Sequence, residues 1–167
     1  MSFLNTLSPT RIFIVTKAFN IIQKEYVVKK MVDMLEEENP GCFDMPDKTF
    51  IDLYMKSGLY IAEIVKRLYR SEKMKELFPD NTERLKHIFK NQVYGLAPTE
   101  IIYRIATSFI LGFADDLDIT EHNFRQVDAL PYAKEGTLQQ KLDELFGWKG
   151  EGHYEKTIKH EAGIVKK

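Results

Sequence analysis

Apolar residues recur along this chain at two spacings, three to four in some stretches and runs of neighbours in others. From about Ala18 to Glu37, Ile22, Tyr26, Val27, Met31, Met34 and Leu35 follow the helical period, so one amphipathic helix is predicted there. Asn39-Pro40-Gly41 ends it. Ahead of it, Pro9 disfavours helix at Ser8, and residues 1 to 18 are expected to be extended or irregular. After the turn Met45-Pro46-Asp47, Thr49 to Ile51 reads as a short strand, and Ile61, Ile64, Val65, Leu68 and Tyr69 mark one face of a following helix. Lys66, Arg67 and Arg70 fall on its wet side. Pro79-Asp80-Asn81 precedes a helix from Thr82, its expected cap, to Lys90. Gln92 to Gly95 reads as a second strand. Pro98-Thr99-Glu100 opens a helix expected to bury Ile101, Ile102, Ile105, Phe109 and Ile110. Asn123 to Val127 is a third strand ending at Asp128, and Thr137 to Phe146 a short amphipathic helix with Leu138, Leu142 and Leu145.

Strands about thirty to forty residues apart with helices between them predict an α/β fold whose parallel sheet is built by right-handed crossovers. The turns after the three strands then share one edge. The chain divides into an N-terminal helical segment (1–47), the α/β unit (48–147) and a tail (148–167) without a core pattern.

A length of 167 residues suits one domain with a sizeable core. The net charge of -1, from 24 basic and 25 acidic residues, gives no global attraction to nucleic acid or anionic membrane. A single cysteine, Cys42, forms no internal disulfide, and no apolar run approaches the ~18 residues of a bilayer span, so a soluble cytoplasmic protein is expected. His87, His122, His153 and His160 lack metal-ligand spacing. The basic residues Lys66, Arg67, Arg70, Lys73 and Lys75 alternate with Glu63, Glu72 and Glu76, the pattern of a solvated, ion-paired helix face.

The chemistry concentrates in Lys48 to Tyr60, which runs strand, loop, helix, with Asp52 at the strand end and Ser57-Gly58 at the helix start. In open α/β folds nucleotide-like cofactors dock there, against unpaired helix amides. Tyr54 and Tyr60 are either stacking platforms or core aromatics, and Asp52 and Asp128 read equally well as turn-forming caps.

Four stretches resemble the cofactor half of bacterial restriction-modification DNA methyltransferases that act on the exocyclic amine of adenine. They are Tyr26-Val-Val-Lys-Lys-Met31, Asp52-Leu-Tyr-Met-Lys56-Ser57-Gly58, Val93-Tyr94-Gly95-Leu96-Ala97-Pro98 and Phe124-Arg-Gln-Val-Asp128-Ala129-Leu130-Pro131, spanning roughly residues 26 to 146. The resemblance implies a Rossmann-like S-adenosylmethionine methyltransferase fold with Asp52, Ser57, Gly58, Gly95, Asp128 and Ala129 around the cofactor. Gly58 would let backbone amides approach its methionine part, Asp52 would order that turn or meet the ammonium, and Asp128 would accept from the adenine amine.

Three departures weaken cofactor binding. Lys56 stands at a family glycine, where its repulsion of the sulfonium at ~6 Å and an effective dielectric of ~20 is on the order of 3 kcal/mol. Leu53 replaces a proline and Ala97 the ribose-binding acid, with Glu100 three residues further on. The Asn/Asp-Pro-Pro-Tyr/Phe segment that holds a flipped base is missing, because the prolines at 9, 40, 46, 79, 98 and 131 are never adjacent. The expectation is a fragment or subunit of such a methyltransferase, inactive alone, with DNA reached through a larger assembly. The rival is a non-catalytic interaction or structural module on the same fold. A half-domain leaves a sheet edge open, which predicts a homodimer or a partner subunit and no membrane association.

Overall fold

The computed structural model describes residues 4–8, 11–14, 25–112 and 119–148. Among these residues five strands form one sheet in the order β1 (Leu4–Ser8), β2 (Arg11–Ile14), β3 (Thr49–Asp52), β4 (Val93–Ala97), β5 (Asn123–Gln126). β1 is antiparallel to β2, and β2 to β5 are mutually parallel. The α/β class with parallel strands and intervening helices is therefore observed. The expected extended start is a two-stranded hairpin, and β2 lies beside β3 with Arg11 to Ile14 in register with Thr49 to Asp52.

Among the described residues seven α-helices accompany the sheet: α1 (Glu25–Glu38), α2 (Leu59–Arg70), α3 (Glu72–Leu77), α4 (Asn81–His87), α5 (Glu100–Leu111), α6 (Ala129–Glu135) and α7 (Leu138–Phe146). Alternation along the strands sorts them onto two faces. Phe50, Val93, Ala97 and Phe124 share a core with Val28, Val32 and Leu35 of α1, Ile61, Ile64 and Leu68 of α2, and Ala106 and Ile110 of α5. Ile51, Tyr94 and Leu96 face the other way, onto Ala129 of α6 and Leu138 and Leu142 of α7. The hairpin thus extends the same sheet as the α/β unit, and α1 shares its core.

The buried stripe of α1 runs through Val28, Val32 and Leu35, whereas Tyr26 is 67% and Met34 43% exposed. Leu35 is buried as expected and Met31 packs partly buried on the same core, while Val28 and Val32 take the places expected of their neighbours; docking on α2 selects this line. The expected residues 18–24 of this helix lie outside the described residues. On α5 only Ile110 of the expected stripe is buried and Ile102 is partly so, while Ile101, Ile105 and Phe109 are exposed. The reason is at Gly58, which has φ 84° and sits so close to α5 that a Cβ there would come within 2.9 Å of Ile110 and 3.1 Å of the Ala106 carbonyl. The helix turns its small residue, Ala106, toward α2, and this carries Ile101, Ile105 and Phe109 away from the core.

Caps define the other ends. Asp80, two residues earlier than expected, takes the place proposed for Thr82 and accepts from the Glu83 amide at 2.9 Å. α4 continues as a π-turn over Ile88 to Gln92, and the predicted strand start at Gln92 is the last residue of that turn. Gln92 is buried, donating Nε2 to the carbonyls of Met45 and Lys48. Ser71 ends α2 and caps α3, a short helix the periodicity did not separate. Thr99 caps α5 as the Pro-Thr-Glu sequence predicts.

Candidate functional site

The carboxyl ends of β3, β4 and β5 lie on one rim because the strands are parallel. Asp52 is in register with Gly95, and Ala97 with Gln126. Gly95 also pairs with Phe124, so Asp128 stands four residues beyond the level of Asp52. The two candidate acids therefore share the rim but at different depths.

Asp52 forms its floor. It is 1% exposed, its Oδ1 accepts the Tyr54 amide at 3.0 Å, and burial pushes its carboxyl up to about 7 against the opposing pull of that amide and of the Lys56 ammonium. The charge of Lys56 thus bears on Asp52. Tyr60 is buried beside them, its phenol raised by burial and by the Asp52 charge, and its hydroxyl meets Met31 Sδ. Of the two tyrosines, Tyr60 is a core aromatic and Tyr54 is half-buried.

The loop from Leu53 to Gly58 folds back over β4. Met55 donates its amide to the Leu96 carbonyl at 2.7 Å and buries its side chain on Gly95, where any Cβ would overlap the thioether sulfur. Gly95 is needed because Met55 is there, and Gly58 because Ile110 is there. Both glycines are engaged in packing rather than lining open space. Ser57 is half-buried just ahead of the Gly58 turn.

Asp128 is exposed and caps α6, accepting the Leu130 amide at 3.0 Å, and Ala129 behind it is buried in the second-face core. Val127 donates to the Ala97 carbonyl at 2.8 Å, extending the β4–β5 ladder to the base of that cap. α6 itself was not foreseen, since Asp128-Ala-Leu-Pro reads as a strand end rather than a helix start; Pro131 stands in its first turn, where a missing amide costs nothing. At the ribose-binding position Ala97 is fully buried, and Glu100 pairs with Arg104 at 2.6 Å one turn along α5.

The sheet order bears on this rim. Ligand crevices in open α/β sheets form where the strand order reverses and successive crossovers leave to opposite faces. From β2 to β5 the order is sequential, and α1, α2 and α5 all pack on one face. Among the described strands there is no reversal.

Other polar groups lie elsewhere. Arg67 bridges α2 to α1, reaching Asp33 at 2.6 Å, Glu36 at 3.1 Å and the nearly buried Glu63 at 3.0 Å. The ion-paired helix face expected of the basic run is thus present, but Arg67 is half-buried rather than wet. A cavity of about 520 Å³ at the opposite rim is lined by Lys90, Asn91, Thr120, Glu121, His122, Asn123 and Arg125. His122 there is held below its ordinary value by burial and by Arg125, and its Nδ1 accepts the Phe124 amide at 3.2 Å. Burial pushes the Cys42 thiol up to about 12, so it stays protonated. His87 bonds the Pro46 carbonyl through Nε2 at 3.0 Å, and His153 and His160 lie outside the described residues. Among the described residues no three His, Cys, Asp or Glu are grouped to hold a metal, and no helix is long and apolar enough to cross a membrane.

No protein-family model, curated protein or solved structure matches this chain.

Proposed function

We propose that this chain is the cofactor-side half of an S-adenosylmethionine-dependent, adenine-specific DNA methyltransferase of the restriction-modification type, acting with a second half that brings the catalytic segment and DNA contacts. What supports the reading is the pairing of Asp52 and Asp128. They are 76 residues apart in sequence; Asp52 is the last residue of β3 and Asp128 lies two residues past β5, on either side of β4 at one rim. The motif resemblance assigns these two acids to the methionine end and the adenine end of one ligand. In this role the chain contributes Asp52 beneath the Leu53 to Gly58 turn and the exposed carboxylate of Asp128, with Ser57, Gly58, Gly95 and Ala129 setting the backbone between them. Where Asp52 is ionised, above about pH 7, its carboxylate offsets part of the repulsion between Lys56 and a sulfonium. Alone, the half-domain turns nothing over.

A second reading is favoured by Met55 and Ile110, which occupy the space over Gly95 and Gly58. In it the rim is filled and the chain is a non-catalytic interaction module on the same scaffold.

Calorimetric titration with S-adenosylmethionine separates the two. Micromolar binding that Asp128→Ala abolishes and Asp128→Ser also weakens, although serine keeps the α6 cap, supports the cofactor reading. No heat at millimolar ligand leaves the interaction module.

A further inference from the structure

Among the described strands β5 is an outermost one, with β4 on one side and no described strand on the other. A strand turns its backbone groups alternately to one side and the other. Val127 gives its amide to the Ala97 carbonyl at 2.8 Å, so the backbone groups of Asn123 and Arg125 also face β4, and those of His122, Phe124 and Gln126 face outward. A bare row of this kind is a template for another chain.

Here the row is occupied. The Phe124 amide donates to His122 Nδ1 at 3.2 Å, and Arg125 Nη1 donates to the carbonyls of His122 at 3.0 Å and Phe124 at 2.9 Å. Each of the two side chains rests on an aromatic ring. His122 stacks on Phe124 at 5.2 Å with 24° between the planes, and the Arg125 guanidinium lies 5.7 Å from the centre of the Phe146 ring. Phe124 belongs to the core of one sheet face and Phe146 to that of the other, so the edge is closed from both faces. Accepting through Nδ1 puts the His122 proton on Nε2, and burial together with Arg125 favours this neutral ring. Asn123 fixes the start of the strand, donating Nδ2 to the carbonyls of Phe89 at 3.1 Å and Lys90 at 2.7 Å.

We propose that His122 and Arg125 are edge guards, which keep β5 from pairing with β5 of a second copy of this chain. A second copy is what they exclude because a strand edge turned about a two-fold axis is complementary to itself. Antiparallel pairing centred on Phe124 exchanges its amide and carbonyl with the same groups of the other copy and uses the outward carbonyl of His122. Those are the three groups that the two side chains engage. The proposal stands without the methyltransferase reading. Under that reading it directs the second half away from β5.

Amide hydrogen exchange on the full natural chain reads the guard directly. After correction for intrinsic rates, the Phe124 amide is expected to exchange about tenfold more slowly than the outward amide of Gln126, and His122→Ala to remove the difference. The amides of Arg125 and Val127, which face β4, should keep their protection. Sedimentation velocity across a dilution series reads the consequence. His122→Ala combined with Arg125→Ala is expected to form a dimer that dissociates on dilution, beyond any association of the natural chain. Adding Gln126→Pro should reverse this, since proline removes an outward amide and leaves the bonds to β4 in place. Three results overturn the proposal: a natural chain whose Phe124 amide exchanges as fast as that of Gln126, a folded double variant no more associated than the natural chain, and association that survives Gln126→Pro.

Discussion

Met55 lies against the α-carbon of Gly95, with its sulfur, methyl and Cγ filling the volume that a side chain at residue 95 would need. The contact joins the loop after β3 to the middle of β4, and the 2.7 Å bond from the Met55 amide to the Leu96 carbonyl fixes its register. The loop that carries Asp52, Lys56 and Ser57 is thus anchored at its centre.

Gly95→Ala should therefore lower stability by about 2 kcal/mol, since overpacking a filled core costs about 1–3 kcal/mol. Met55→Ala is expected to cost about 3 kcal/mol by leaving a cavity. The double variant should be more stable than the sum of the two, by more than about 1 kcal/mol. Urea denaturation of the four proteins measures this, and strict additivity would show that the two residues do not share the space.

Gly58→Ala combines a strained φ of 84° with close approach to Ile110 and the Ala106 carbonyl. A loss of about 2 kcal/mol or more is expected. Adding Ile110→Val should recover only part of it, because the backbone strain and the Ala106 carbonyl remain. Thermal melts of the single and double variants decide the point.

Asp52 makes stability depend on pH in an unusual direction. Its folded pKa, about 7, lies above the ordinary 3.8, so the folded state holds a proton that the unfolded state has released between those values. Stability from this group is greatest below about pH 4, falls as pH rises through the interval, and levels off above about 7. The full effect is on the order of 4 kcal/mol. Asp52→Asn should flatten the profile and raise stability at pH 8. A profile unchanged by the substitution would mean that Asp52 titrates alike in the folded and unfolded chain.

Arg67 holds two acids of α1 and the nearly buried Glu63 of its own helix. Arg67→Met keeps the aliphatic stem but strands Glu63, and a loss of about 2–3 kcal/mol is expected. Following it with Glu63→Gln should return about half. Chemical denaturation at low and high salt checks both, and the exposed Asp33 contact should be the part that salt weakens.

Asp128→Ala should cost about 1 kcal/mol through loss of the α6 cap, and Asp128→Ser much less. Protease nicking near residues 129 to 135 reads out the fraying directly. Equal cleavage of the two variants would show that the cap does not hold α6.

Periodicity found α2 and α7 and their inward faces, and it found the three central strands to within a residue or two at either end. Each has a face whose apolar residues outnumber those on every other face, and Pro98-Thr99-Glu100 likewise marked the start of α5. On α1 and α5 the expected faces were met only in part, at Leu35 and Ile110 with Met31 and Ile102 beside them, for one shared cause. Both are apolar around more than half their circumference, so pattern admits several orientations, and the choice falls to the neighbour each helix meets. The candidate site shows the same division. Asp52 and Asp128 were recognisable as strand-end acids, and parallel pairing brings both to one rim. Nothing in the local sequence marked Met55 as the residue that claims Gly95, because a methionine three positions past a strand carries no directional signal.

The amino-acid sequence by itself determined the α/β class, the sites of the turns and the residues able to bear chemistry, since these depend on interactions within a few positions along the chain. The tertiary structure alone decided which glycines are used for packing, that Asp52 is buried while Asp128 is exposed, and that an N-terminal strand takes the place beside β3. Those outcomes depend on contacts between residues tens of positions apart, where several partners of equal hydrophobicity compete and only the shared geometry of the sheet selects among them.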